Sequence, residues 1–117
     1  MLAELRREGF EKPTPLQVQA WPIVLQGYDF VGIVEKCSCR GKTIAYMLPM
    51  LVHVMAQPEL KPGEGPTGLV LLPTHEHCMQ VTAQAQAFTT RAGLVCDTLV
   101  DGGDENELLH VGVHNRR

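Results

Sequence analysis

The sequence predicts an α/β fold in which a parallel sheet is flanked by helices. Three observations carry this. Short apolar runs at 29–34 (DFVGIV), 69–72 (LVLL) and 94–100 (LVCDTLV) are separated by longer helical stretches. The first two runs suit strands buried on both faces, as in parallel sheets. Residues that start or stop helices stand at the boundaries, so the order strand–helix–strand–helix–strand implies right-handed βαβ units.

Each element follows in turn. Residues 2–8 are expected to be helical, and Gly9 sits where a left-handed C-terminal cap is wanted. Thr14-Pro15-Leu16-Gln17 reads as a capping box: Thr14 caps, Pro15 takes the first helical position and Gln17 reaches back. That helix is expected to bend or restart at Pro22 and to stop near Gly27. After the 29–34 strand, a helix is expected from about Gly41 to Ala56, kinked by Pro49. Residues 57–67, QPELKPGEGPT, are a Pro/Gly-rich connection. After LVLL, Thr74 can cap a helix running to about Thr90, with Gly93 as its stop. LVCDTLV is the third strand, Asp101-Gly102-Gly103 a turn, and 104–110 a short helix.

The chain has 117 residues, 44% hydrophobic and 20% charged, which fits one compact domain or part of a larger one. A net charge of −3 gives no global basic field, so any nucleic-acid contact must be local. The four cysteines (37, 39, 78, 96) are irregularly spaced, no signal peptide is evident and no apolar stretch approaches the ~20 residues of a membrane span. These features predict an intracellular protein, cytoplasmic or nuclear, with reduced thiols.

In sheets of this kind ligands bind beyond the carboxyl ends of the strands, where the loops 35–41 and 73–75 fall. Gly41-Lys42-Thr43 is how a phosphate-gripping loop ends. A lysine there can place its ammonium between β- and γ-phosphates, and the threonine hydroxyl can bind Mg²⁺. The opposing reading is an ordinary helix start. Gln17 is similarly two-sided. Its amide can pair with both N6 and N7 of adenine, or it can merely close the capping box.

Three stretches in order resemble a known family. GFEKPTPLQ at 9–17 is similar to the Q motif of DEAD-box RNA helicases, GKT at 41–43 to the end of their motif I, and LVLLPTHE at 69–76 to the strand and motif Ia. Gly102-Gly103 fits the family's glycine pair. The resemblance covers nearly the whole chain, including WPIVLQG, AYMLP and VHVMAQP. It implies a partial RecA-like (P-loop NTPase) fold, with residues 1–117 forming an incomplete first helicase domain. In that domain the Q motif would be 9–17, the motif I region 34–43 and the motif Ia region 73–77.

The resemblance implies ATP and Mg²⁺ as cofactors, with Gln17 recognising the base and Phe10 helping to wall its pocket. Gly41, Lys42 and Thr43 would hold the phosphates, with Thr43 reaching Mg²⁺ through the nucleotide. RNA would meet Pro73, Thr74, Gly102 and Gly103, although the two glycines can equally form a plain turn. The expected function is the ATP- and RNA-binding portion of a helicase-like protein. Neither Asp-Glu-Ala-Asp nor Ser-Ala-Thr occurs in the chain, so no catalytic residue is assigned, and hydrolysis or unwinding by this chain alone is not expected. The alternative is a catalytically dead fragment acting through protein contacts or through self-association at an exposed sheet edge.

The sequence departs from the family at two places. Before Gly41, the loop VEKCSCR carries Lys36, Cys39 and Arg40 where the motif uses small residues, which is expected to weaken phosphate binding. In motif Ia, His75 replaces the arginine and His77 the leucine, and a neutral imidazole does not replace a guanidinium at a phosphate. Cys37, Cys39, His75, His77 and Cys78 are zinc-ligand types at one sheet edge, but C-x-C and H-x-H-C are not the spacing of a familiar zinc module, and drift explains them better. His110 and His114, four apart, are weaker still, and Arg116-Arg117 is a solvated end.

Overall fold

The computed structural model describes residues 2–7, 9–34, 39–99 and 109–115. The chain divides into two compact units, residues 1–52 and 53–117.

The first unit holds α1 (Leu2–Arg7), α2 (Pro15–Val24) and most of α3 (Cys39–Ala56). Both early helices end as their glycines predict. Gly9 has φ 83°, its N–H donates to the Arg6 carbonyl and the Phe10 N–H to that of Leu5. Gly27 repeats the arrangement at φ 84°, with Gly27 N–H to Val24 and Tyr28 N–H to Ile23. Each is a Schellman motif, in which the left-handed residue turns two amides back onto the last free carbonyls. The capping box is present in both directions between Thr14 and Gln17. Pro22 lies inside α2 and Pro49 inside α3, and each helix runs through its proline.

Two expectations fail in this unit. Residues 29–34 form no strand, and Val31 and Ile33 are 86% and 94% exposed. A strand exists only against a ladder partner, and no described strand pairs with this run. Helix α3 begins at Cys39, not Gly41, so Gly41, Lys42 and Thr43 lie within its opening turns.

In the second unit β1 (Gly68–Leu72), α4 (His75–Ala92) and β2 (Leu94–Leu99) follow the expected βαβ order. Thr74 caps α4, accepting from the His77 N–H, and Gly93 closes it at φ 70°. Cys78, Val81, Thr82, Ala85, Phe88 and Thr89 form its buried stripe, and α4 packs on all three strands of the sheet. Thr82 donates its only hydroxyl proton to the Cys78 carbonyl at 2.8 Å, so the 2.7 Å bond to Thr98 must use the Thr98 proton.

The sheet corrects the expected parallel pairing. A third strand, β3 (Leu109–Asn115), lies between β1 and β2 and is antiparallel to both. The expected helix over 104–110 is therefore overturned at 109–110, which are strand, while 104–108 fall outside the described residues. The residues of β3 alternate: Val111 and Val113 are fully buried, whereas Gly112 and His114 point to the other face, against Asp97 and the 60–66 connection. β-branched residues at every second place favour a strand over a helix. Leu69 and Leu71, on that same second face, are exposed, so LVLL is not buried on both sides. Only one face of the sheet is covered by α4, and the other cannot bury what a doubly covered strand would.

Candidate functional site

In the first unit the site is built around Gln17, at the third position of α2. The capping box turns its side chain back along the helix start, where Oε1 accepts from the Thr14 N–H at 3.0 Å. Its Nε2 donates to the Gly41 carbonyl at 3.0 Å, across 24 residues of sequence. Gln17 is 1% exposed, so both bonds are shielded from water. They use one of its two acceptor sites and one of its two N–H groups, leaving one of each. The structure bears out the capping-box reading of Gln17 and adds a long-range bond that the sequence did not show. The residue closes the cap and also ties the 9–17 segment to the Gly41-Lys42-Thr43 segment.

Phe10 and Gln17 line one small cavity of about 210 Å³, with Leu5, Arg6, Pro13 and Trp21 among its walls. This is below the ~300 Å³ at which ligand pockets usually begin, too small for a whole nucleotide. Trp21 was not singled out from the sequence. Its ring lines the cavity, and its indole N–H is buried with no hydrogen-bond partner among the described residues. The signal that could have found it is the spacing Gln17–Trp21, four residues on a helix and hence one face.

Lys42 is half-buried and lines a different space, a cleft of about 690 Å³ bounded by α2, residues 28–34 and Tyr46. Thr43 is 3% exposed, and its side chain hydrogen-bonds Tyr46 one turn on. Burial raises the Tyr46 phenol above its ordinary value, and the bond from Thr43 partly offsets this. Gly41, Lys42 and Thr43 are thus held together on α3, with Gln17 anchored to the first of them. The loop 35–38 that would complete a phosphate cradle lies outside the described residues, as do Lys36 and Cys37. Gln17 and Phe10 thus line the small cavity, Lys42 lines the separate cleft, and the Thr43 side chain is buried against Tyr46.

In the second unit Pro73 and Thr74 are exposed at the end of β1, where the sequence reading expected a binding loop. The Thr74 hydroxyl is engaged as the α4 cap. His75 is exposed and His77 half-buried, whereas the neighbouring Cys78 thiol is fully buried in the core. Among the described residues no three His, Cys, Asp or Glu side chains cluster as metal ligands. His110 and His114 belong to a strand, not to a helical turn. Gly102 and Gly103 lie outside the described residues. No described helix is long and apolar enough to cross a membrane.

Comparison with known proteins gives consistent likenesses. The model of the DEAD/DEAH box helicase family matches residues 14–112. The chain is similar to the ATP-dependent RNA helicase dbp2 of Emericella nidulans, with 47% identity over 88% of the chain and 18% of the relative. It is equally similar to the DEAD-box ATP-dependent RNA helicase 20 of Oryza sativa subsp. japonica, at 47% identity over 88% of the chain and 20% of the relative. The chain therefore spans about a fifth of the length of the curated relatives it matches. Among solved structures it resembles the RNA helicase Prp28 from Chaetomium thermophilum bound to ADP. The TM-score is 0.76 and the identity 34%, covering 88% of the chain and 24% of that protein.

Proposed function

Because this chain belongs to the DEAD/DEAH box helicase family, we propose that it is the part of a helicase core that receives an adenine nucleotide and touches RNA. Its fold is mixed α/β and matches part of a RecA-like helicase domain. In this reading the base lies beside Phe10 and Trp21 and is recognised by the acceptor site and N–H that Gln17 retains. Gly41, Lys42 and Thr43 meet the phosphates, Lys42 as a point charge and Thr43 as a hydroxyl ligand for the Mg²⁺ that travels with the nucleotide. The nucleotide and its Mg²⁺ supply the electrophilic phosphorus and its charge neutralisation. The chain's own residues bind and orient.

The observation that carries this reading is the Gln17–Gly41 hydrogen bond, which couples the base-recognising glutamine to the phosphate-binding segment. The ADP in the structure of Prp28 supports it. Lys36, Cys39 and Arg40 stand where small residues let amides approach a phosphate, so the proposed affinity is weak. RNA contact falls to Pro73, Thr74 and the glycines 102 and 103. With His75 in place of a guanidinium, that contact is also weak. Residues 1–117 include neither Asp-Glu-Ala-Asp nor Ser-Ala-Thr, and the proposal assigns them binding without hydrolysis or unwinding.

Titration of the chain with a fluorescent ADP in the presence of Mg²⁺ tests this. Saturable binding in the high-micromolar range is expected, with a loss of at least about tenfold in Lys42→Ala, equivalent to ~1.4 kcal/mol. Absence of binding at millimolar nucleotide, with the chain folded by circular dichroism, would end the nucleotide assignment.

A further inference from the structure

Tyr46 stands one turn beyond Thr43 on α3, and long helical side chains lean back over the turn before them. Its phenol accordingly reaches the Thr43 side chain and hydrogen-bonds it. Lys42, four residues before Tyr46, lies on the same helix face, and both line the cleft beside α2. Tyr46 therefore touches the buried hydroxyl and borders the same space as the Lys42 side chain.

Two hydroxyls sharing one hydrogen bond hold two protons, so one proton lies in the bond and the other must go elsewhere. Thr43 is 3% exposed and Tyr46 37% exposed. Water can take the phenol proton but reaches the buried hydroxyl poorly, and a buried proton left unpaired is costly. The arrangement that satisfies both has Thr43 donating to the phenol oxygen and Tyr46 donating outward. The bond offsets part of the rise that burial imposes on the phenol, as a donor to the phenol oxygen must. Donation leaves the lone pairs of the Thr43 oxygen uncommitted to Tyr46. A neutral hydroxyl that ligates a cation uses a lone pair for the ion and still has its proton to place. The ion's charge strengthens that donor, so an acceptor already in position contributes most when the ion is bound.

We propose that the Tyr46 phenol oxygen is the acceptor that orients the Thr43 hydroxyl for the Mg²⁺ of a bound nucleotide, which makes Tyr46 a positioning residue of this site. The assignment rests on the nucleotide reading above. Tyr46→Phe keeps the ring in the cleft wall and removes the acceptor alone.

Titration with a fluorescent ADP, in Mg²⁺ and in EDTA, tests this on the unsubstituted chain, Tyr46→Phe and Thr43→Val. The unsubstituted chain should bind more tightly in Mg²⁺ than in EDTA. Tyr46→Phe should lose about three- to tenfold of that enhancement, the range of one hydrogen bond, with its EDTA affinity unchanged. Thr43→Val should lose the enhancement entirely, and the double variant should lose nothing more. A ring with only a packing role would weaken both titrations equally. That result overturns the proposal, as does an undiminished Mg²⁺ enhancement in Tyr46→Phe. Binding by the unsubstituted chain without any Mg²⁺ enhancement overturns the proposal and leaves the nucleotide reading standing, whereas no binding in either condition overturns both. Paramagnetic broadening by Mn²⁺ with ADP needs no variant. The Tyr46 ring resonances should broaden, and broadening that spares them overturns the proposal.

Discussion

Gln17 donates its side-chain N–H to the Gly41 carbonyl at 3.0 Å while its side-chain oxygen accepts from the Thr14 backbone at 3.0 Å. One buried amide thereby closes a local cap and fixes the position of a helix that starts more than twenty residues later. The two bonds differ in range, and substitutions separate them.

Thr14→Ala removes only the hydroxyl half of the capping box and should cost about 1 kcal/mol. Gln17→Ala removes both side-chain bonds and leaves the buried Gly41 carbonyl without this partner, so about 2–3 kcal/mol is expected. Gln17→Glu is the more informative change. A carboxylate still accepts from Thr14 but cannot donate to Gly41, and a buried charge faces a carbonyl. It should destabilise at least as much as alanine. Urea denaturation of the three variants gives the ordering, and a Gln17→Ala cost no larger than that of Thr14→Ala would show that the long-range bond contributes nothing.

Gly112 sits at the centre of β3 beneath the connection from β1's leading edge. A Cβ there would lie 3.1 Å from Pro66 Cβ and 3.3 Å from Pro66 Cγ. A proline ring is stiff, so the neighbour cannot swing aside as a long side chain would. Gly112→Ala should cost about 1–2 kcal/mol through overpacking. Adding Pro66→Gly should recover part of that cost, and a double-mutant cycle measures the coupling.

Cys96 predicts an alkaline sensitivity. Burial chiefly, and then the Asp97 carboxylate and the Cys78 thiol, raise the Cys96 thiol above its ordinary value. A group whose folded value is raised contributes stability below its unfolded value and loses it as pH climbs through the folded one. The window opens above about pH 8.5, the ordinary thiol range. Unfolding free energy should therefore fall more steeply with pH in the unsubstituted chain than in Cys96→Ala, with the two curves parallel at pH 6–8. Burial also raises the Tyr46 phenol, so Tyr46→Phe should remove a further part of the alkaline slope.

The sequence by itself determined the helix caps, which close within a few residues. Thr14, Gly9, Gly27, Thr74 and Gly93 each terminate a helix as read, because caps satisfy free amides and carbonyls from residues close by and need no distant partner. The helicase resemblance was legible for the same reason, since its motifs are contiguous and ordered. Only the tertiary structure decided the sheet. The run at 29–34 had the composition of a buried strand yet has no ladder among the described residues, while 109–115 became the central strand between β1 and β2. Alternation of Val111 and Val113 with Gly112 and His114 was present to be read, but the direction and neighbours of a strand depend on residues more than thirty positions away for β1. The Gln17–Gly41 bond belongs with these. A side chain's local partner is written beside it, whereas its distant one is chosen by how the chain folds back.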